Sequence, residues 1–218
     1  MHGTDIEPPG ATTLDQHVNY GLRGRNTPGV AGGITTNHGL YLSTEIAHGV
    51  TPWWETALYV PFAVQDGRVD PVGVKLRNLF VSPPRSDTGW TYGMLVELRY
   101  LTPAVSPGRY SAEVRPIVQW QGGRWTTVGS IGFTGVTGQN GGSALAPAAR
   151  LYAQVTPKLV LGLEEYADLG PIERPLPFKQ QAHQLFAVAE MPVGRLSLNL
   201  GIGYGLTARR CLLYTSDA

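Results

Sequence analysis

The run Leu196-Ser197-Leu198-Asn199-Leu200-Gly201-Ile202-Gly203-Tyr204-Gly205-Leu206 alternates large apolar residues with small or polar ones without a fault. Successive side chains of a strand point to opposite faces, so this run reads as a β-strand with one apolar face and one different face. The same period recurs at Tyr92-Met94-Val96-Leu98-Tyr100 against Gly93-Leu95-Glu97-Arg99, and at Tyr110-Ala112-Val114-Pro116-Val118-Trp120 against Ser111-Glu113-Arg115-Ile117-Gln119. The pattern predicts eleven strands, near 14–22, 39–49, 54–62, 72–81, 90–101, 110–121, 125–135, 148–155, 159–167, 183–191 and 195–206. Each is close to the roughly 9–11 residues that a tilted strand needs to cross a bilayer. No segment sustains a helical period, and no apolar run approaches the roughly 20 residues of a spanning helix. A helical membrane protein is thereby excluded, whereas a membrane β-barrel, whose alternation averages to a hydropathy near zero, is not.

Composition narrows the class further. The 218 residues make one domain's worth of chain, 15% of them charged, with a net charge of +1. Neither a disordered tail nor a basic nucleic-acid-binding surface fits that balance, because each needs a clear excess of one sign. One Cys cannot build a disulfide framework or a Cys-rich zinc site, and 28 Gly with 17 Pro favour many tight turns. Residues 1–12 read as an N-terminal extension, since Met1 to Glu7 has neither a basic n-region nor an apolar h-region and so shows no signal peptide as written. Residues 13–210 read as the barrel. The last eight residues, Cys211-Leu212-Leu213-Tyr214-Thr215-Ser216-Asp217-Ala218, break the preceding pattern and resemble the translation of the transposase adapter used in sequencing libraries. They are read here as a non-native tail outside the fold, with the chain as a fragment whose closing strand is missing.

The connections between the predicted strands alternate in length, long ones in odd places and short ones in even places, with 82–89 the blurred case. An up-and-down barrel gathers odd connections at one rim and even ones at the other, and outer-membrane barrels have short periplasmic turns and longer external loops. Tryptophan placement follows the same division. Trp53, Trp54, Trp90, Trp120 and Trp125 lie near short turns, while Tyr20, Tyr59, Phe62, Tyr100, Tyr110, Phe133 and Tyr204 fall towards the other rim. Two aromatic belts flanking an apolar band are expected where rings sit at two membrane interfaces.

If the apolar set of each strand faces lipid, the other set faces the lumen. That set holds Glu45, Glu55, Lys75, Arg77, Glu97, Arg99, Glu113, Arg115, Arg150, Glu164 and Glu190, six acids and five bases. Burying such a set in a dry core costs several kcal/mol for each unpaired charge, and a water-containing lumen avoids that cost. Lys75/Arg77, Glu97/Arg99 and Glu113/Arg115 on adjacent strands predict a ladder of cross-strand ion pairs lining a pore.

The hairpin Glu45-Ile46-Ala47-His48-Gly49-Val50-Thr51-Pro52-Trp53-Trp54-Glu55-Thr56-Ala57-Leu58-Tyr59-Val60-Pro61-Phe62 resembles one common in bacterial outer-membrane barrels of the porin and transporter type. Leu161 to Gly170 and the glycine-spaced strand ending at Leu206 have the same character. The resemblance implies an all-β, antiparallel up-and-down barrel of twelve strands, eleven of them visible, in a Gram-negative outer membrane. It implies passive passage of small polar solutes, with outer-membrane lipids and the barrel-assembly machinery as partners. Two alternatives are a closed barrel anchoring its loops for a structural or adhesive role, and a soluble β-barrel that binds a ligand. No enzyme, nucleic-acid, metal or cofactor role is predicted. His17, His38, His48 and His183 are scattered, and no G-x-S-x-G occurs. Glu164 and Glu165, being consecutive in a strand, face opposite ways. Gly201, Gly203 and Gly205 are expected on the inward face, admitting a loop or sharp curvature.

Overall fold

A computed structural model of the chain describes residues 3–28, 30, 33–83, 88–106, 108–137, 142–194 and 196–207, and the backbone of 212–217. Its strands are β1 (Thr12–Arg23), β2 (Leu40–Thr51), β3 (Trp54–Gln65), β4 (Arg68–Pro71), β5 (Gly73–Val81), β6 (Gly89–Leu101) and β7 (Tyr110–Gly122), followed by β8 (Trp125–Val136), β9 (Ser143–Thr156), β10 (Leu159–Asp168), β11 (Ala182–Val193), β12 (Leu196–Gly205) and β13 (Leu212–Asp217). Every pairing is antiparallel, and apart from β4 and β5, which both pair with β3, neighbours in sequence are neighbours in space. The β2–β3 pairing joins the two ends of the sheet, so twelve strands close on themselves while the short β4 pairs with β3 alone. Closure removes the free edges that lipid cannot satisfy.

Period-two alternation decides which face each side chain takes. Leu58, Leu76, Leu98 and Leu163 point outward and are exposed, whereas Glu45, Arg77, Glu97 and Glu164 point inward and are buried. In water this would be an inverted protein; in a bilayer it is the expected one.

Three local features depart from the sequence expectations. The stretch 63–71 is not a plain loop, because β3 runs on to Gln65 and turns back into β4. Asp66 and Gly67 both have positive φ, 52° and 77°. An Asp-Gly pair is a strong signal for this primed two-residue turn. A glycine is required again at Gly73, with φ 147°, where a side chain would overlap the backbone of Tyr100 as β4 gives way to β5. Strand β9 begins at Ser143 rather than near 148. Ala144, Ala146 and Pro147 have little strand preference of their own, and the edge of β8 recruits them, with Ser143 opposite Gly135 and Ala146 opposite Gly132.

The third departure is at the seam. The closing position is not vacant, for β13 lies between β1 and β12, with Tyr214 opposite Tyr20 on one side and Ile202 on the other. Backbone ladders need no particular side chains, so a six-residue segment pairs with part of each edge whatever its origin.

Candidate functional site in the barrel lumen

All eleven charged residues read as inward lie on the lumen side, but they pair differently from a simple ladder. Arg77, on β5, bonds to the neighbouring β3 and reaches across it to β2. Its Nη2 donates to Glu45 Oε1 at 2.6 Å and to Glu55 Oε1 at 2.8 Å. The other oxygen of Glu45 lies 2.8 Å from His17 Nε2. Across β5, β6 and β7 a second relay runs diagonally. Lys75 Nζ lies 3.0 Å from Glu97 Oε2, Arg99 contacts Glu97 on its own strand, and Arg99 Nη2 donates to Glu113 Oε2 at 2.6 Å. Arg115 completes it, its Nε donating to Glu113 Oε1 at 2.8 Å and its Nη1 to Ser130 Oγ and the Ala146 carbonyl, both at 3.1 Å.

The register explains the diagonal pattern. Glu97 stands directly opposite Glu113, and Lys75 directly opposite Arg99, so straight pairing would set like charges together. A residue of opposite charge two positions along the strand resolves each conflict, Arg99 bridging Glu97 and Glu113, and Glu97 bridging Lys75 and Arg99. Arg77, Glu45 and Glu97 are each only 3% exposed, so their charges are tolerated because each is held by opposite charges.

A third group occupies the opposite wall. The Tyr152 and Tyr166 hydroxyls each donate to Glu164 at 2.5 Å. Arg150 lies over the Tyr152 ring at 3.5 Å and donates to Glu190 at 3.2 Å, where Asn199 also donates at 2.9 Å. Glu165 faces outward as alternation requires and lies 2.9 Å from His183 Nδ1. His48 also lies on the outward face, bonded to Thr12.

Aromatic placement needs one correction. Trp53, Trp90, Trp125, Tyr100 and Tyr110 are exposed, Trp54 and Trp120 partly so, and Trp54 stacks with Phe80 at 6.0 Å. Tyr59 is not a membrane-interface residue. It is 3% exposed inside the barrel, stacked 5.9 Å from His17, with Lys75 Nζ 3.8 Å above its ring. Parity with Glu55 on the same strand dictates this, although apolar residues on both faces of β3 obscure it.

Of the three glycines expected to admit a loop or curvature, Gly203 makes room for a ring, and Gly162 on β10 does the same. A side chain at Gly162 would overlap the Tyr152 ring, and one at Gly203 the Phe186 ring. These glycines make room for neighbouring aromatic rings lying flat along the lumen wall.

Sequence reasoning missed two features. The lumen side is apolar towards the short-turn rim of β5–β8, where Leu79, Leu95, Ile117 and Val128 form a buried cluster. The signal was present in the inward series Lys75, Arg77, Leu79. The second is the extension, for residues 3–7 enter the barrel. Ile6 packs on that apolar cluster, Thr4 N–H donates to Gln119 Oε1 at 3.0 Å, and Glu7 N–H donates to Glu55 Oε2 at 2.7 Å.

Between the charged walls lies a cavity of about 680 Å³ lined by Asp5, Glu7, Asp15, Glu45, Glu55, Glu164 and Glu190 against Lys75, Arg77 and Arg150, with His17 beside them. Among the described residues no group of three or more His, Cys, Asp or Glu is arranged to hold a metal ion. Part of loop 136–147 lies outside the described residues, and with it the question of whether that loop enters the pore.

No family model matches the chain, and no curated protein matches it. Solved structures do. A bacterial polysaccharide outer-membrane secretin aligns over 97% of this chain and 98% of its own, with TM-score 0.52 and 10% identity. The translocator domain of autotransporter NalP from Neisseria meningitidis aligns over 98% and 88%, with TM-score 0.48 and 12% identity. A mutant porin of Rh. blastica covers 95% and 99%, with TM-score 0.31 and 9% identity. The chain has the fold of an outer-membrane β-barrel, an antiparallel sheet closed around a charged lumen.

Proposed function

We infer that the protein is an outer-membrane channel for small polar solutes, passive in operation and biased towards cations. The observation that carries this reading is the polar cavity of about 680 Å³ inside the barrel, where the strands alone supply five carboxylates, Asp15, Glu45, Glu55, Glu164 and Glu190, against two arginines and one lysine. A narrow pore with low-dielectric walls focuses the field of such an excess and concentrates counter-ions of the opposite sign. Arg99 and Arg115 offset Glu97 and Glu113 on the neighbouring wall and moderate that preference. Lipids of the outer membrane and the barrel-assembly machinery are the partners this reading requires, and it assigns the lumen no catalytic chemistry.

The test is the zero-current potential of the purified protein in planar bilayers under a salt gradient. The expected sign is that of cation preference, and it moves further that way in the Arg99→Gln, Arg115→Gln double variant. Potentials that do not respond to these substitutions would show that the charges only hold the wall together. One observation favours a second reading, a closed barrel that anchors its loops: residues 3–7 lie inside the lumen. That reading predicts no conductance under any condition.

A further inference from the structure

Residues 3–10 have no regular secondary structure of their own, yet 3–7 are threaded into the barrel from the short-turn rim, where the exposed 8–10 turn into β1. Each contact is made to the lumen wall. Thr4 is 8% exposed, with its hydroxyl 2.9 Å from that of Thr91 and its N–H on Gln119. Ile6 covers the apolar cluster of Leu79, Leu95, Ile117 and Val128, and Glu7 N–H is held by Glu55. Gly10 N–H donates to the Gly49 carbonyl at 2.7 Å where the segment turns into β1, and Gly10 itself has φ 82°. The turn is therefore built at a residue that can adopt either hand of backbone at little cost.

These contacts form an anchor that can release. Apart from the Gly10 turn, the segment adds no rung to the barrel ladder, so its departure breaks none of the pairings that close the ring. One contact works against docking, because Glu7 brings a carboxylate towards Glu55 and Asp15, and burial beside these two acids raises its pKa. The apolar cluster is the reverse case. Without Ile6 it would face a water-filled lumen, an arrangement that favours a cover over an open mouth.

We propose that residues 3–10 are a plug that seals the short-turn mouth of the lumen when docked and opens the channel when displaced. This rests on the channel reading, and the experiment separates the two. Thr4→Cys and Thr91→Cys are introduced together in a Cys211→Ser background, so the new thiols occupy the sites of hydroxyls 2.9 Å apart. Conductance in planar bilayers is recorded oxidised and then reduced, beside the unaltered chain and Ile6→Asp. The expected result is a silent oxidised protein that recovers its openings on reduction, with Ile6→Asp open about tenfold more often, the equivalent of 1.4 kcal/mol of docking lost. Equal, non-zero conductance in all forms overturns the plug and leaves the channel standing.

If no form conducts, the channel reading falls and a second measurement decides the plug. The rate at which Leu95→Cys reacts with a small charged thiol reagent is compared with and without Ile6→Asp, again in the Cys211→Ser background. Faster reaction with Ile6→Asp upholds a displaceable cover over the apolar cluster, and an unchanged rate overturns it.

Discussion

Arg77 ties three strands together in the lumen, because one guanidinium serves two carboxylates from two other strands. Removing one partner of a buried ionic group leaves the others uncompensated, and Arg77→Met is expected to cost about 3–5 kcal/mol of folding stability. The measurement is the urea midpoint of folding into lipid vesicles, and adding Glu45→Gln and Glu55→Gln should recover much of the loss. Glu7 gives the opposite kind of prediction. Burial, then the charges of Glu55 and Asp15, raise the pKa of its carboxyl in the docked segment, while a hydrogen bond with Thr13 opposes the shift. An acid with a raised pKa in one state favours that state as it takes up a proton, so docking tightens as pH falls through the Glu7 titration and loosens above it. Open probability should therefore fall on acidification, and Glu7→Gln should hold the low-pH behaviour at neutral pH. A pH response unchanged by Glu7→Gln would place the sensing group elsewhere.

The elements were legible where one face is consistently apolar. Strands β6, β7 and β12 could be read residue by residue because their outward positions are almost all large and apolar, whereas their inward positions are mostly small, polar or charged, with Leu95 and Ile117 the buried exceptions. Legibility failed where that contrast is lost. β9 starts in an alanine-rich stretch whose strand form comes from the edge of β8, and β3 carries apolar residues on both faces, which hid the inward Tyr59. The charged residues were assignable to the lumen by parity alone, but their partners were not. Pairing depends on stagger between strands, which brought Arg77 to β2 and β3 instead of to Glu97. Nor does any periodicity announce that a segment without secondary structure will fold into the lumen. At the seam, β13 pairs with β12 over only four residues, Asn199 to Ile202. Deleting residues 212–217 exposes the edges of β1 and β12 to lipid, where each unsatisfied backbone group costs several kcal/mol. Loss of the compact, heat-modifiable band on unheated gels is expected, and an unchanged band would mean that β1 and β12 pair directly.

At the scale of the whole molecule, two opposite surfaces are built from one repeated local rule. Outward residues supply the apolar band, with Trp53, Trp90 and Trp125 at the short-turn rim and Tyr100 and Tyr110 at the other, while inward residues build a charged interior that no dry core could hold. The same barrel wall thus solves the membrane problem on one side and encloses a polar cavity on the other. A nitroxide scan of β6 at Met94, Leu95, Val96, Glu97, Leu98 and Arg99 in lipid vesicles tests this separation of faces. Collision with oxygen, which partitions into lipid, should peak at Met94, Val96 and Leu98 and fall at the three positions between. Absence of that period of two, or higher access of a water-soluble nickel complex at Met94, Val96 and Leu98, would contradict the membrane-spanning barrel.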